Sequence, residues 1–253
     1  MKKSFLFIVS LFLISSCATL QAPGIIDITS LKSLFQLCES DLERAKKVIL
    51  EKDLVKILSH LQKMDNGGKK YYLLEREAIT AMIKSVTEGV YSEFILLNRD
   101  GTVVYTMVND KLFAGNVRTT LAKSALSSCY ENRDVSPYIV SVPYLPSDAG
   151  AYVAVSSKVQ GGNTMPGIFI LIVDVQKIQK LIGERSYAIG TDGMYEVAAD
   201  RRIINTRYKD FDKIDVSGPR DGLAVRRFTR SSGVSAAYRF FNYSNLEWIL
   251  VSE

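Results

Sequence analysis

The chain of 253 residues holds one histidine, three cysteines and one tryptophan. A single histidine excludes a histidine-rich metal site, and no Cys-x-x-Cys pair replaces it. Neither a Gly-x-Ser-x-Gly nucleophile turn nor a phosphate-binding glycine loop occurs. These absences argue against an enzyme, and no cofactor is expected. Charge of one sign is also in short supply: 32 basic residues face 27 acidic ones. That excess is too small to indicate nucleic acid, and Arg226, Arg227 and Arg230 read as a solvated strand face. Beyond the leader, no apolar run has the length to span a bilayer.

What is present starts with an address label. MKKSFLFIVSLFLISSC has a basic start, an apolar stretch from Phe5 to Ile14, and small residues before Cys17. Leu13-Ile14-Ser15-Ser16-Cys17 resembles a bacterial lipobox, an aliphatic residue followed by small residues and Cys. The resemblance implies that residues 1–16 are a signal peptide and that Cys17 is lipidated, as in a palmitate-bearing lipoprotein. An ordinary secretory signal cleaved nearby is the other reading. Loss of Lys2 and Lys3 would take the basic count from 32 to 30 against 27 acids. On that resemblance, residues 17–29 are expected to form a lipidated tether to the bacterial cell envelope, on a periplasmic or outer-membrane face. Cys38 and Cys129 then remain, and are expected unpaired.

From Ser30 the apolar residues Leu31, Leu34, Phe35, Cys38, Leu42, Ala45, Ile49, Leu54, Ile57, Leu58 and Leu61 recur at helical spacing. One long helix to Met64 is expected, about 50 Å at 1.5 Å per residue. A second helix is expected from about Tyr71 to Glu88. The period then changes. Phe94–Asn98 and Thr102–Val108 read as strands joined through Asp100-Gly101, a strong turn pair. Arg118 to about Ser127 reads as a helix, then Tyr138–Tyr144, Tyr152–Val159 and Gly167–Val173 as strands, and Gln176–Ile182 as a helix. The remainder reads as a smaller sheet: Ala188–Gly190, Met194–Ala198, Asp200–Asn205, Leu223–Thr229, Val234–Phe241 and Glu247–Ser252. The expected class is α+β, helices packed on antiparallel sheets.

Two stretches carry a likeness. SEFILLNRDGTVVYT with DKLFAGNV, then SPYIVSVPY, AYVAVSSKV and GIFILIVDVQKIQKLI, follow a long helix in order. Together they resemble the extracytoplasmic Cache family in its double form: two PAS-like antiparallel-sheet modules behind a long N-terminal helix. GTDGMYEVAADRRIINT and SNLEWILVSE resemble the second module. The resemblance implies a membrane-distal module within residues 30–183 and a smaller membrane-proximal one over 184–253. It implies ligand binding without catalysis.

Members that bind amino acids carry Arg-x-Trp-Tyr before the third strand and an amine-binding Asp after the fifth. Here the matching run is Ser127-Ser128-Cys129-Tyr130, in which only Tyr130 fits, while Asp174 matches the Asp and Tyr138 a pocket aromatic. Without the Arg, a bidentate carboxylate clamp is missing. An amine, a nucleobase-like ring or another small metabolite is therefore expected rather than an α-amino acid. Tyr144, Tyr152 and Arg118 complete the expected ligand set. Each has a plainer reading: Asp174 as a helix cap, Tyr144 and Tyr152 as sheet aromatics, Arg118 as a solvated residue. His60, on the first helix, reads as a surface or packing residue.

The expected function is a sensor-type lipoprotein that captures a small ligand in the distal pocket under loops 109–117 and 145–150. Its state would pass to a partner protein, with a membrane receptor or kinase as candidate. The alternative is a structural or adhesive lipoprotein that keeps the scaffold and has lost the pocket, its distal interior filled by side chains.

Overall fold

The computed structural model describes residues 28–64, 68–143, 151–162, 164, 166–218, 220, 222 and 224–253. Helix α1 spans Ile28–Glu51 and buries Leu31, Phe35, Cys38, Leu42, Ala45 and Ile49 along one stripe. The expected single helix is interrupted at Asp53, whose φ of 47° is left-handed, and α2 restarts over Leu54–Lys63. The break lets Leu54, Val55 and Leu58 reach the core from a new angle; α1 alone is about 36 Å long. Helix α3 runs over Gly68–Lys84, ending four residues earlier than expected.

Strands β1 (Glu93–Asn98), β2 (Val103–Thr106), β3 (Tyr138–Pro143), β4 (Ala151–Val159) and β5 (Gly167–Asp174) form one antiparallel sheet in the order β2-β1-β5-β4-β3. The period-two alternation sends Phe94, Leu96, Phe169 and Leu171 toward the helices α1–α3. Ile95, Leu97, Ile168, Ile170 and Ile172 face the other way, under helix α4 (Ala125–Glu131). Both faces are apolar, so both are covered. The helix expected from Arg118 begins only at Ala125, because Ser124 and Ser127 form a reciprocal capping box there; Lys123 before it has a φ of 64°.

Helix α5 (Val175–Ile182) leads to the second sheet: β6 (Ser186–Gly190), β7 (Tyr195–Val197), β8 (Arg226–Thr229), β9 (Ser235–Tyr243) and β10 (Leu246–Ser252). Its order, β7-β6-β10-β9-β8, repeats that of the first sheet strand for strand. The repeat extends to backbone detail. In the first sheet Val103 N–H bonds Gly115 O, Ala114 N–H bonds Val103 O, and Val117 N–H bonds Gly101 O. In the second, Tyr195 N–H bonds Thr206 O, Asn205 N–H bonds Tyr195 O, and Tyr208 N–H bonds Gly193 O. Ala114 and Asn205 share a left-handed φ, 67° and 65°. The expected strand Asp200–Asn205 is instead a short 3-10 turn, Arg201–Ile203, capped by the Asp200 carboxylate on Arg202 N–H. A left-handed Asn205 cannot continue a strand.

Buried polar groups fasten these pieces. Asp41 of α1 is fully buried and accepts from Glu88 N–H, Gly89 N–H, the Tyr91 hydroxyl and Arg44. Burial alone would raise its carboxyl, but these donors outweigh it and hold the group below the usual range. Glu93, at the start of β1, accepts from the N–H groups of Met107, Val108 and Asn109 and so fixes the turn after β2. The β2 edge of the first sheet is covered as well. The Tyr72 hydroxyl donates to Thr106 O and accepts from Thr106 N–H on β2, while its ring stacks on Phe113 at 4.0 Å. Such cover blocks strand addition at an edge.

The sheets meet across α1. Phe35 contacts Phe241, Tyr243 and Trp248, with ring centroids 5.5–5.9 Å apart. Burying a Phe side chain stabilises by about 1.5–3 kcal/mol. Cys38 and Cys129 are buried and free, and His60 is exposed. No described helix is long and apolar enough to cross a membrane. Cys17, the expected lipid site, lies outside the described residues.

Candidate ligand-binding site

The opening hairpin of the first sheet builds one wall of a cavity. Asn98 Oδ1 accepts from Asp100 N–H and Thr102 N–H, each at 3.0 Å, which closes the turn. Gly101 has a φ of 80°. A Cβ on it would stand 2.6 Å from Val117 Cγ2 and 3.2 Å from the Tyr130 ring. Glycine is required there both by conformation and by the close approach of α4.

Tyr130, near the end of α4, is buried and organises the surroundings. Its hydroxyl donates to Arg99 O at 3.0 Å and accepts from Arg118 Nη2 at 2.6 Å. Arg133 Nη1 donates to Tyr130 O at 2.9 Å. The guanidinium carbons of Arg118 and Arg133 lie 5.1 and 4.9 Å from the centroid of the Tyr130 ring, within cation–π range.

The cavity beside these groups has a volume of about 620 Å³, in the range of small-molecule sites. Asn98, Arg99 and Asp100 line it from the hairpin, and Arg118, Tyr130 and Arg133 from the α4 layer. Lys158 and Gln160 come from the end of β4, and Pro166, Gly167 and Ile168 from the start of β5. Four cations thus face one carboxylate. Lys158 pairs with Asp134 at 3.1 Å. Arg99, Arg118 and Arg133 have no carboxylate partner among the described residues. No group of His, Cys, Asp and Glu suited to a metal occurs among the described residues.

Of the expected ligand set, Arg118 and Tyr130 are brought together at this cavity. Tyr138 and Tyr152 are half-buried on the same sheet face, packed against its apolar cluster, and do not line the cavity. Tyr152 stands opposite Asp174 in the β4–β5 ladder. Asp174 lies six residues beyond Ile168 along β5, about 20 Å at 3.3 Å per residue. There its carboxylate caps α5 through Gln176 N–H at 2.8 Å and pairs with Arg201 at 3.0 Å. The capping alternative for Asp174 is therefore realised. Tyr144 lies outside the described residues, as do residues 145–150.

Between the two ends, Leu121, Leu126, Cys129, Ala154 and Ile170 fill the space under α4. The segment 109–117, expected as a closing loop, is held down. Glu93 binds Asn109 N–H, and residues 114–117 pair with the hairpin strand β2 and its turn.

Of the cations lining the cavity, Arg99, Arg133 and Lys158 are those that sequence reasoning missed. Arg133 follows Tyr130 by three positions, the spacing of neighbours on a helix face. That was the available signal.

No protein-family model and no curated protein matches the sequence. Solved structures do. The chain is similar to an extracellular ligand binding receptor from Desulfohalobium retbaense, with a TM-score of 0.58 and 9% identity. The match covers 88% of this chain and 38% of that one, so the chain spans well under half the receptor's length. The sensory domain of the Campylobacter jejuni chemoreceptor Tlp3 gives a TM-score of 0.48 at 10% identity, covering 89% of this chain and 92% of that one. The ligand-binding domain of the Pseudomonas fluorescens chemoreceptor CtaA, in complex with L-leucine, gives 0.46 at 13% identity, covering 83% and 94%. At 9% identity the likeness to the extracellular receptor is one of fold alone.

Proposed function

We propose that this double-Cache fold serves as a small-molecule-binding sensor module, tethered to the bacterial cell envelope through a lipid on Cys17. The observation that carries the binding half of this reading is the cavity of about 620 Å³ beside Tyr130. Its walls come from the first hairpin, the α4 layer and the ends of β4 and β5. A ligand seated there touches all of them and shifts their relative populations by its differential contacts. α1 packs on β4 and β5 and carries Phe35 into the second sheet. It is the physical connection from that cavity to a partner protein, such as a membrane receptor or kinase.

The tether rests on Leu13-Ile14-Ser15-Ser16-Cys17. Lipid chains anchor by burying CH₂ groups at about 0.8 kcal/mol each. Metabolic labelling of the full chain with palmitate should mark the wild type and leave Cys17→Ser unlabelled. Label on the variant would refute the lipid site. For binding, a thermal-shift screen over amines, nucleobases, sugars, carboxylates and phosphates should yield at least one class that stabilises the chain. A hundredfold excess over Kd is worth about 2.7 kcal/mol. No stabilisation by any class would refute the sensor reading.

A second reading, a structural or adhesive lipoprotein, is favoured by two observations. Apolar side chains fill the space under α4, and Arg201 occupies Asp174. That reading predicts an inert screen.

A further inference from the structure

We propose that the cavity beside Tyr130 takes an organic anion with two or more negative charges on oxygen, a di- or tricarboxylate or a phosphate ester. This deepens the sensor reading and rests on it. The expectation of an amine does not suit the cavity, whose lining is basic.

Three features lead to this class. The first is uncompensated charge. Arg99, Arg118 and Arg133 line one cavity with no carboxylate partner among the described residues. Two of these guanidiniums stand about 5 Å from the same ring centroid, which puts them no farther apart than the ~10 Å over which salt screens exposed charges. Like charges held that close repel, and a bound anion turns the repulsion into attraction.

The second is positioning. Arg118 is held by the Tyr130 hydroxyl and Arg133 by the Tyr130 carbonyl, one hydrogen bond each through a single nitrogen. A guanidinium has five N–H donors, so each arginine keeps most of its donor fork for a ligand. Such forks match carboxylate and phosphate oxygens in bidentate fashion. Tyr130 is thereby a positioning residue for two anion contacts.

The third is size and the remaining polarity. About 620 Å³ exceeds what a single inorganic phosphate fills. Asp100 from the hairpin and Gln160 from the end of β4 add acceptors to the lining, suited to hydroxyl groups on the ligand skeleton. A hydroxylated polyanion satisfies both kinds of wall at once.

Isothermal titration of the full chain would use citrate and glucose 6-phosphate as the two sources of oxyanion. Inorganic phosphate, glucose and putrescine serve as comparators. The variants are Arg99→Gln, whose side chain has no described carboxylate partner, and Arg133→Gln, with Lys84→Gln on α3 as a distant charge control. At low salt, citrate or glucose 6-phosphate should bind at least tenfold more tightly than inorganic phosphate. Either arginine variant should weaken that binding at least tenfold, and Lys84→Gln should leave it unchanged. Raising the salt to 0.5 M should weaken it further.

Failure of both organic anions to bind at millimolar concentration would overturn the proposal. So would equal binding by glucose or putrescine, or anion binding indifferent to both arginine variants. A neutral or cationic ligand found in the wider screen would then leave the sensor reading standing. An inert wider screen would remove both. A melting temperature for Arg133→Gln within a few degrees of wild type separates lost binding from lost folding.

Discussion

The side-chain amide of Asn245 pairs with the backbone of Ile139 at two points. Its Oδ1 accepts from Ile139 N–H at 2.8 Å and its Nδ2 donates to Ile139 O at 2.7 Å. Ser244 Oγ adds a bond to Pro137 O at 2.7 Å. The turn between β9 and β10 thus acts as a one-residue strand on the open edge of β3. It satisfies edge groups and ties the second sheet to the first in one contact.

Asn245→Ala should remove both bonds and leave the Ile139 groups half-satisfied. The expected loss is about 1–3 kcal/mol, read from urea denaturation. Amide exchange at Ile139 should accelerate more than at Leu171 in the sheet centre. Equal acceleration at both would mean that Asn245 acts on global stability and not on the edge.

Gly101 combines a φ of 80° with close contact to Val117 and Tyr130. Gly101→Ala should therefore cost about 1–3 kcal/mol, more than the few tenths of an ordinary surface exchange. The same change at Gly162, also at positive φ but with nothing within 4 Å, should cost less. Thermal unfolding of the two variants side by side makes the comparison. Equal losses would show that packing against Tyr130 contributes nothing.

Glu196 sits on β7 of the second sheet, and its Oε2 is buried without a partner. Burial pushes its carboxyl up from 4.5 to about 7, more than the nearby Ser141 hydroxyl offsets. The raised value means that the folded state holds the proton more tightly than the unfolded chain. The stabilisation is complete below about pH 4.5 and is lost as pH rises through about 7. Glu196→Gln should keep what the protonated acid supplies. Relative to wild type it should gain on the order of 1–3 kcal/mol between pH 5 and pH 8. Urea denaturation at both values tests this, and a pH-independent difference would contradict it.

Both thiols of the described chain are buried, and burial pushes Cys38 and Cys129 up to about 12. Thiolate is the reactive form. Iodoacetamide at pH 8 should leave the folded protein unmodified at both positions and label both in strong denaturant. Fast labelling of Cys129 in the folded state would indicate that the packed layer under α4 opens readily.

Much of the fold was legible from periodicity. The i, i+3, i+4 spacing from Leu31 to Ile49 and the alternation through Phe94–Asn98 and Gly167–Val173 are local, because side-chain direction follows backbone geometry. Asp100-Gly101 and Asp192-Gly193 marked the paired hairpins for the same reason; both glycines have positive φ. The misplaced elements are those decided by single-residue turns and a cap, which the apolar period does not carry. Asp53 breaks the helix in a left-handed turn, Asn205 turns where a strand was expected, and Ser124 sets the start of α4 through a reciprocal cap.

The site was less legible. Tyr130 and Arg118 were found through the resemblance; Arg133 is linked to Tyr130 only by its three-residue spacing, and Arg99 and Lys158 come from separate segments with no spacing to link them. Asp174 carries the residue type of an amine ligand, yet its partner is Arg201, twenty-seven residues away. The sequence by itself determined the helix and strand periods and the turn glycines, all set by residues within one turn of each other. Tertiary structure alone decided which charges share a cavity and which are already paired. Electrostatics acts through space, and the chain order does not record those distances.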